Sequence, residues 1–130
     1  VSTRVAAAVL SLSLLVTAPL SAAELPSAIS AQIRGARGSG KPTIADFGAR
    51  TCIPCKKMAP ILEELSRELK GRANVTFTDV WQNPAVAQEF RIQMIPTQIF
   101  FDSSGKEVKR HMGFMDKGEI LKELRNSGMK

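Results

Sequence analysis

One stretch constrains this chain more than any other: Asp46-Phe47-Gly48-Ala49-Arg50-Thr51-Cys52-Ile53-Pro54-Cys55-Lys56. The apolar run from Ile44 to Phe47 reads as a buried strand, a Gly-Ala turn follows it, and an amphipathic helix begins at the cysteines. Strand, short loop, Cys-x-x-Cys and helix together set two thiols at a helix N-terminus, where they can close reversibly into a Cys52–Cys55 disulfide. Unpaired backbone N–H groups and the positive end of the helix dipole favour the thiolate of the first. The arrangement predicts a site for thiol–disulfide exchange, and it uses both cysteines of the chain.

Each residue of that site has an expected part. Cys52, at the helix start, is the expected nucleophile; Cys55, one turn deeper, is the thiol that resolves the mixed disulfide. The bland alternative is an inert staple, but so short a loop removes little entropy from the unfolded chain. Zinc is the other alternative. A structural zinc site needs about four ligands, and beyond the two cysteines the chain has a single histidine, His111, on a different element. Neither metal nor cofactor is therefore expected. His111, between Arg110 and Met112, reads as a solvent-facing strand residue. Asp46, between Ala45 and Phe47, reads as buried, and burial raises a carboxyl pKa. Such a group can accept the Cys55 proton during resolution; the alternative is a strand-end Asp that hydrogen-bonds the turn. Arg50 and Lys56 add positive charge that reads as solvated and screened.

The N-terminus carries a different signal. Arg4 is the only charge before an apolar run from Val5 to Leu20, and Ser21-Ala22-Ala23 follows with small residues suited to cleavage. Residues 1–23 read as a secretory signal peptide, leaving 24–130 as the mature domain. An uncleaved anchor is the alternative, but the run is short and interrupted by Ser11, Ser13, Thr17 and Pro19. Secretion implies a periplasmic or other extracytoplasmic setting, where disulfide chemistry is active. The net charge of +6 is spread along the chain and not interleaved with aromatics, which argues against nucleic-acid binding.

Along the rest of the chain, Leu25 to Ile33 reads as a short first helix, broken by glycines from Gly35 to Gly40. Pro42 to Phe47 is a strand, 53–70 a helix kinked by Pro60 and ended by Gly71, and Val75 to Val80 a second strand. Asn83-Pro84 opens a short helix over 85–90. Thr97 to Phe101 and Glu107 to Met112 form a hairpin around Asp102-Ser103-Ser104-Gly105, and Asp116 caps a last helix. Trp81 falls in the loop after the second strand, placed equally well near the site or in the core. The order βαβαββα predicts an α/β domain with a central mixed sheet and helices on both faces.

That order resembles the thioredoxin family. The likeness rests on Asp46, Cys52 and Cys55, Lys56, Pro60, Asn83-Pro84, Ile95-Pro96-Thr97, the Asp102-to-Gly105 turn and Gly113, over about residues 41 to 126. It implies the thioredoxin-like fold and a cis Ile95–Pro96 bond against the cysteines. It also implies a substrate-binding surface at Thr51, Ile53, Pro54, Ile95 and Pro96, and protein disulfides as substrates. Three positions depart from the family pattern: Thr51 stands where Trp is usual, Ile53 where Gly is usual, and Phe77 where cytoplasmic members carry a buried Lys. A secreted member would act as a monomer and draw electrons from a membrane thiol transporter. With no His between the cysteines, a moderately depressed Cys52 pKa and a reducing protein are expected. The rival class is a non-catalytic adaptor or metallochaperone of the same fold; retention of both cysteines favours the enzyme.

Overall fold

The computed structural model describes residues 24–130, so the expected signal peptide, residues 1–23, lies outside the described residues. Helices α1 (Ser30–Arg37), α2 (Ile53–Glu68), α3 (Pro84–Glu89) and α4 (Lys117–Asn126) alternate with strands β1 (Thr43–Gly48), β2 (Asn74–Asp79), β3 (Thr97–Phe101) and β4 (Glu107–Met112). The strands form one mixed sheet in the order β2-β1-β3-β4. β1 runs parallel to β2 and antiparallel to β3, and β3 is antiparallel to β4. The C-terminal ends of β1, β2 and β4 and the N-terminal end of β3 therefore share one end of the sheet. The expected α/β architecture is the observed one.

All of β1 is buried, so both faces of the strand are covered. Alternation sends Ile44, Asp46 and Gly48 to one side and Ala45 and Phe47 to the other. Ile44 packs with Met58, Leu62 and Leu65 of α2 and with Ile120 and Leu124 of α4. Ala45 and Phe47 pack instead with Ile33 of α1, Val86 of α3, Phe90, Ile99 and Phe101. Each fully buried Leu, Ile or Phe contributes about 1.5–3 kcal/mol relative to exposure, so the two helical layers are held by apolar burial. The α2–α4 contact is supplemented at the surface, where Lys117 pairs with Glu64 and Glu68.

The local signals act as expected in most places. Asp116 accepts from the Glu119 N–H at 2.8 Å while Glu119 accepts from the Asp116 N–H at 3.0 Å, a reciprocal cap at the start of α4. α2 passes through Pro60 without a break, although proline cannot donate to the Lys56 carbonyl. The N-terminal segment differs from expectation. Ser27 forms a parallel bridge with Phe77 of β2, the Ala28 N–H donates to the Phe77 carbonyl at 2.7 Å, and α1 begins at Ser30 and runs through Gly35. A backbone contact some fifty residues away in sequence sets that start, and no local pattern reports it.

Candidate active site

β1 ends at Gly48, and the four residues Ala49 to Cys52 carry the chain to α2. Cys52 is the N-cap residue of α2: its sulfur accepts from the Cys55 N–H at 3.4 Å, and Pro54 occupies the first turn, where a missing donor costs nothing. Cys52 and Cys55 are disulfide-bonded with Cα atoms 5.2 Å apart. Cys52 is half-exposed, and Cys55 is 4% exposed. The two sulfurs thus differ in access in the sense the sequence implies.

Gly48 shapes the floor under Cys55. A Cβ at this position would meet Cys55 Cβ and Sγ at 3.2 Å, so the missing side chain lets Cys55 settle on β1. Because Asp46 lies two residues earlier on the strand, it faces the same side as Gly48, toward α2 and Cys55. Asp46 is 1% exposed; burial pushes its pKa up to about 7, and a hydrogen bond from Gln98 opposes the shift. Gln98 Nε2 donates to Asp46 Oδ1 at 2.9 Å, whereas Asp46 Oδ2 is unpartnered. A cavity of about 320 Å³ opens beside Cys55, bordered by Leu25, Arg50, Lys56, Pro60 and Phe77.

The surrounding rim is apolar. Thr51 and Pro54 are exposed, and Ile53, the first residue of α2, is 73% exposed. Met94 and half-buried Ile95 precede β3, Met112 and Phe114 lie at the end of β4 and just after it, and Trp81 follows β2; all are at the cysteine end of the sheet. Trp81 is 63% exposed, which overturns its placement in the core. The Ile95–Pro96 bond is cis. Met94 and Pro96 carbonyls accept from Thr97 Oγ1 and the Gly113 N–H, at 2.7 and 2.8 Å. Among the described residues none bonds the Ile95 N–H or carbonyl, so its backbone groups are unpaired beside an apolar rim.

Two further expectations change. His111 is half-buried, not solvent-facing, with Nε2 3.1 Å from the Phe114 carbonyl. Arg50 is not freely solvated: it pairs with Glu24 at 3.0 Å, donates to the Leu25 carbonyl at 2.8 Å and lies over the Phe77 ring. Its charge is engaged by the N-terminal segment. Sequence reasoning also missed Asp79, buried at the end of β2. One of its oxygens accepts from the Arg50 N–H and the other from the Trp81 and Gln82 N–H groups, tying the cysteine loop to the Trp81 loop. An Asp ending a strand just before a loop was the available signal. Among the described residues no group of three or more His, Cys, Asp or Glu is placed to hold a metal ion.

Comparisons with known proteins agree with this geometry. The family model described as Thioredoxin matches residues 26–126. The thioredoxin of Mycolicibacterium smegmatis is 44% identical over 89 residues, 67% of this chain and 79% of that protein. A bifunctional thioredoxin reductase/thioredoxin of Mycobacterium leprae is 43% identical over 86 residues, 66% of this chain but 19% of that longer protein. Among solved structures, chloroplastic thioredoxin z aligns with a TM-score of 0.69 at 29% identity, over 81% of this chain and 95% of that one. With the fold, the disulfide-bonded Cys-x-x-Cys pair and the family match in agreement, the chain belongs to the thioredoxin family of dithiol–disulfide oxidoreductases.

Proposed function

We propose that this protein reduces disulfides of other proteins outside the cytoplasm, with Cys52 as nucleophile, Cys55 as resolving thiol and Asp46 as proton acceptor. The observation that carries the assignment is the asymmetry of the pair: a half-exposed sulfur at the helix cap and a buried one on the face that Asp46 shares. In the first step the Cys52 thiolate attacks one substrate sulfur, a mixed disulfide forms, and the other substrate sulfur leaves as a thiolate that takes a proton from water. In the second, Cys55 loses its proton to Asp46 and attacks Cys52 Sγ. The Cys52–Cys55 disulfide forms, the second substrate thiolate leaves, and two electrons have passed to the substrate. A pKa of about 7 leaves Asp46 able to accept and return that proton near neutrality.

Substrate docking fits the rim. The free Ile95 backbone can pair with an extended segment, as in strand addition, while exposed Thr51, Ile53 and Pro54 flank the cysteine that attacks and buried Pro96 stands at the same end of the sheet. Residues 1–23 support export by their composition, and a membrane dithiol donor would return the pair to its reduced form by the reverse exchange. The direction rests on the site's electrostatics. Arg50 is committed elsewhere and the Ile53-Pro54 dipeptide offers no side-chain donor, so little beyond the helix terminus stabilises the Cys52 thiolate.

Two measurements test this. Cys55→Ser should accumulate mixed disulfides with client proteins and Cys52→Ser none; equal trapping by both would reverse or abolish the assignment. Equilibration with glutathione should place the pair nearer about −270 mV than about −120 mV. A value at the oxidising end would make the protein a disulfide donor. Fractionation of cells expressing the full chain checks the location, and a cytoplasmic product would overturn it.

A further inference from the structure

Gln98 is the polar group of the site that the exchange steps leave without a role. It is fully buried in β3, directly across the antiparallel pair from Asp46. An amide in the middle of a buried strand otherwise made of Thr, Ile and Phe is unfavourable unless its polar atoms are paired. Only half of it is paired. Nε2 donates to Asp46 Oδ1 at 2.9 Å, while Gln98 Oε1 has no partner. Asp46 shows the complementary gap, with Oδ2 equally buried and unpartnered. Both orphaned atoms are acceptors as long as the carboxyl is ionised, so nothing inside the pair joins them. One proton on Oδ2 would convert an acceptor into a donor able to pair with the amide oxygen.

We propose that Gln98 is the positioning residue for proton transfer: when Asp46 takes the Cys55 proton, Oδ2–H donates to Gln98 Oε1 and the two side chains close a two-point acid–amide pair. In this step the Cys55 S–H bond breaks, the Asp46 O–H bond forms, and no electrons change hands. Before it, the amide holds the carboxylate through Nε2–H on Oδ1 and leaves Oδ2 as the open lone pair. The glutamine thereby selects which oxygen receives the proton and gives it a neutral resting place. The inference rests on the reading of Asp46 as the proton acceptor.

The surroundings leave this work to the amide. Phe77 faces Asp46 from β2, Ile44 and Gly48 flank it on β1, and Cys55 and Met58 cover this face from α2. His111 of β4 is the register partner of Gln98, and its Nε2 is engaged at the Phe114 carbonyl. Arg50, Lys56, Glu24 and Glu63 border the cavity beside Cys55. None of these charges perturbs Asp46, whose titration is set by burial first and the Gln98 bond second.

The test is carbon-13 NMR of the full oxidised chain with labelled Asp and Gln side chains. The Gln98 carboxamide carbon should titrate with the same midpoint as the Asp46 carboxyl carbon, and its inflection should vanish in Asp46→Asn. A Gln98 that merely fills space would stay flat. Gln98→Leu, which suits a buried strand, should slow resolution of a Cys52 mixed disulfide about tenfold near neutrality, the weight of the Oδ2–H···Oε1 hydrogen bond that the protonated acid would lose. A flat Gln98 signal, or wild-type resolution by Gln98→Leu on both sides of neutrality, would overturn the proposal. Normal resolution by Asp46→Asn with a co-titrating Gln98 would instead remove the proton-acceptor reading and leave the acid–amide pair standing.

Discussion

The two faces of β1 are built from one six-residue strand and obey different rules. On the α1–α3 side, Ala45 and Phe47 pack into an apolar cluster that holds no ionisable group, and the Phe47 and Phe90 rings lie 5.2 Å apart. On the α2–α4 side, Ile44 is followed by a buried carboxyl and then by a glycine under a sulfur. The first face is sealed and maximises contact. The second holds an ionisable group whose charged form is poorly solvated and an amide with one orphaned oxygen. A sheet can carry chemistry in its interior when one face supplies the stability and the other gives some of it up.

This contrast can be broken by substitutions, and the largest effect is expected at the sulfurs. Cys52→Ser should abolish disulfide reduction while leaving the reduced fold close to wild type in denaturant titration. Phe47→Ala, on the sealed face, should cost about 3–5 kcal/mol. That loss should be the same at every pH, and the folded fraction should retain its exchange chemistry.

Asp46→Asn should do the opposite. Folding raises the Asp46 pKa from 3.8 to about 7, so between those values the folded protein keeps a proton that the unfolded chain has released. Stability of the wild type must then fall as pH rises through that window, by about 4 kcal/mol in all at about 1.4 kcal/mol per pH unit. The Asn variant lacks that slope, so its advantage should be small at acidic pH and greatest above pH 7, with mixed-disulfide resolution slowed from neutrality upward, where the wild-type carboxylate is free to take the proton. Urea titrations of both variants at acidic and alkaline pH check the pair. If Phe47→Ala and Asp46→Asn showed the same pH dependence, the distinction between the faces would fail. The smallest effect belongs to Gly48→Ala, whose added Cβ would press on Cys55 and should cost about 1–3 kcal/mol. Cys55 should also react more slowly in that variant.

What was legible in the sequence was mostly local. The Cys52–Cys55 pair, the cap at Asp116, and β3 and β4 to the residue follow from short-range spacing and turn chemistry, so the sequence reading and the structure coincide there. What was hidden depends on register. Gln98 reads as an ordinary polar residue in a strand until β3 is laid antiparallel against β1 and places it opposite Asp46. Asp79 reads as one more residue of the second strand until its oxygens are seen to gather three backbone donors from two loops. Trp81 illustrates the reverse case: its sequence position suits the site and the core equally, and the loop after β2 holds it at the surface.

The borders of the sheet have a consequence for a dithiol–disulfide oxidoreductase. β4 is one outer strand, and along it stand Glu107, Lys109 and Arg110, charges that discourage a foreign strand from docking. β2 is the other, and the Ser27–Ala28 segment already occupies part of its rim through Phe77. An extended segment therefore finds both outer rims guarded and unpaired main-chain groups at Ile95, at the cysteine end of the sheet. The fold can meet an extended chain at a single residue without becoming a template for it.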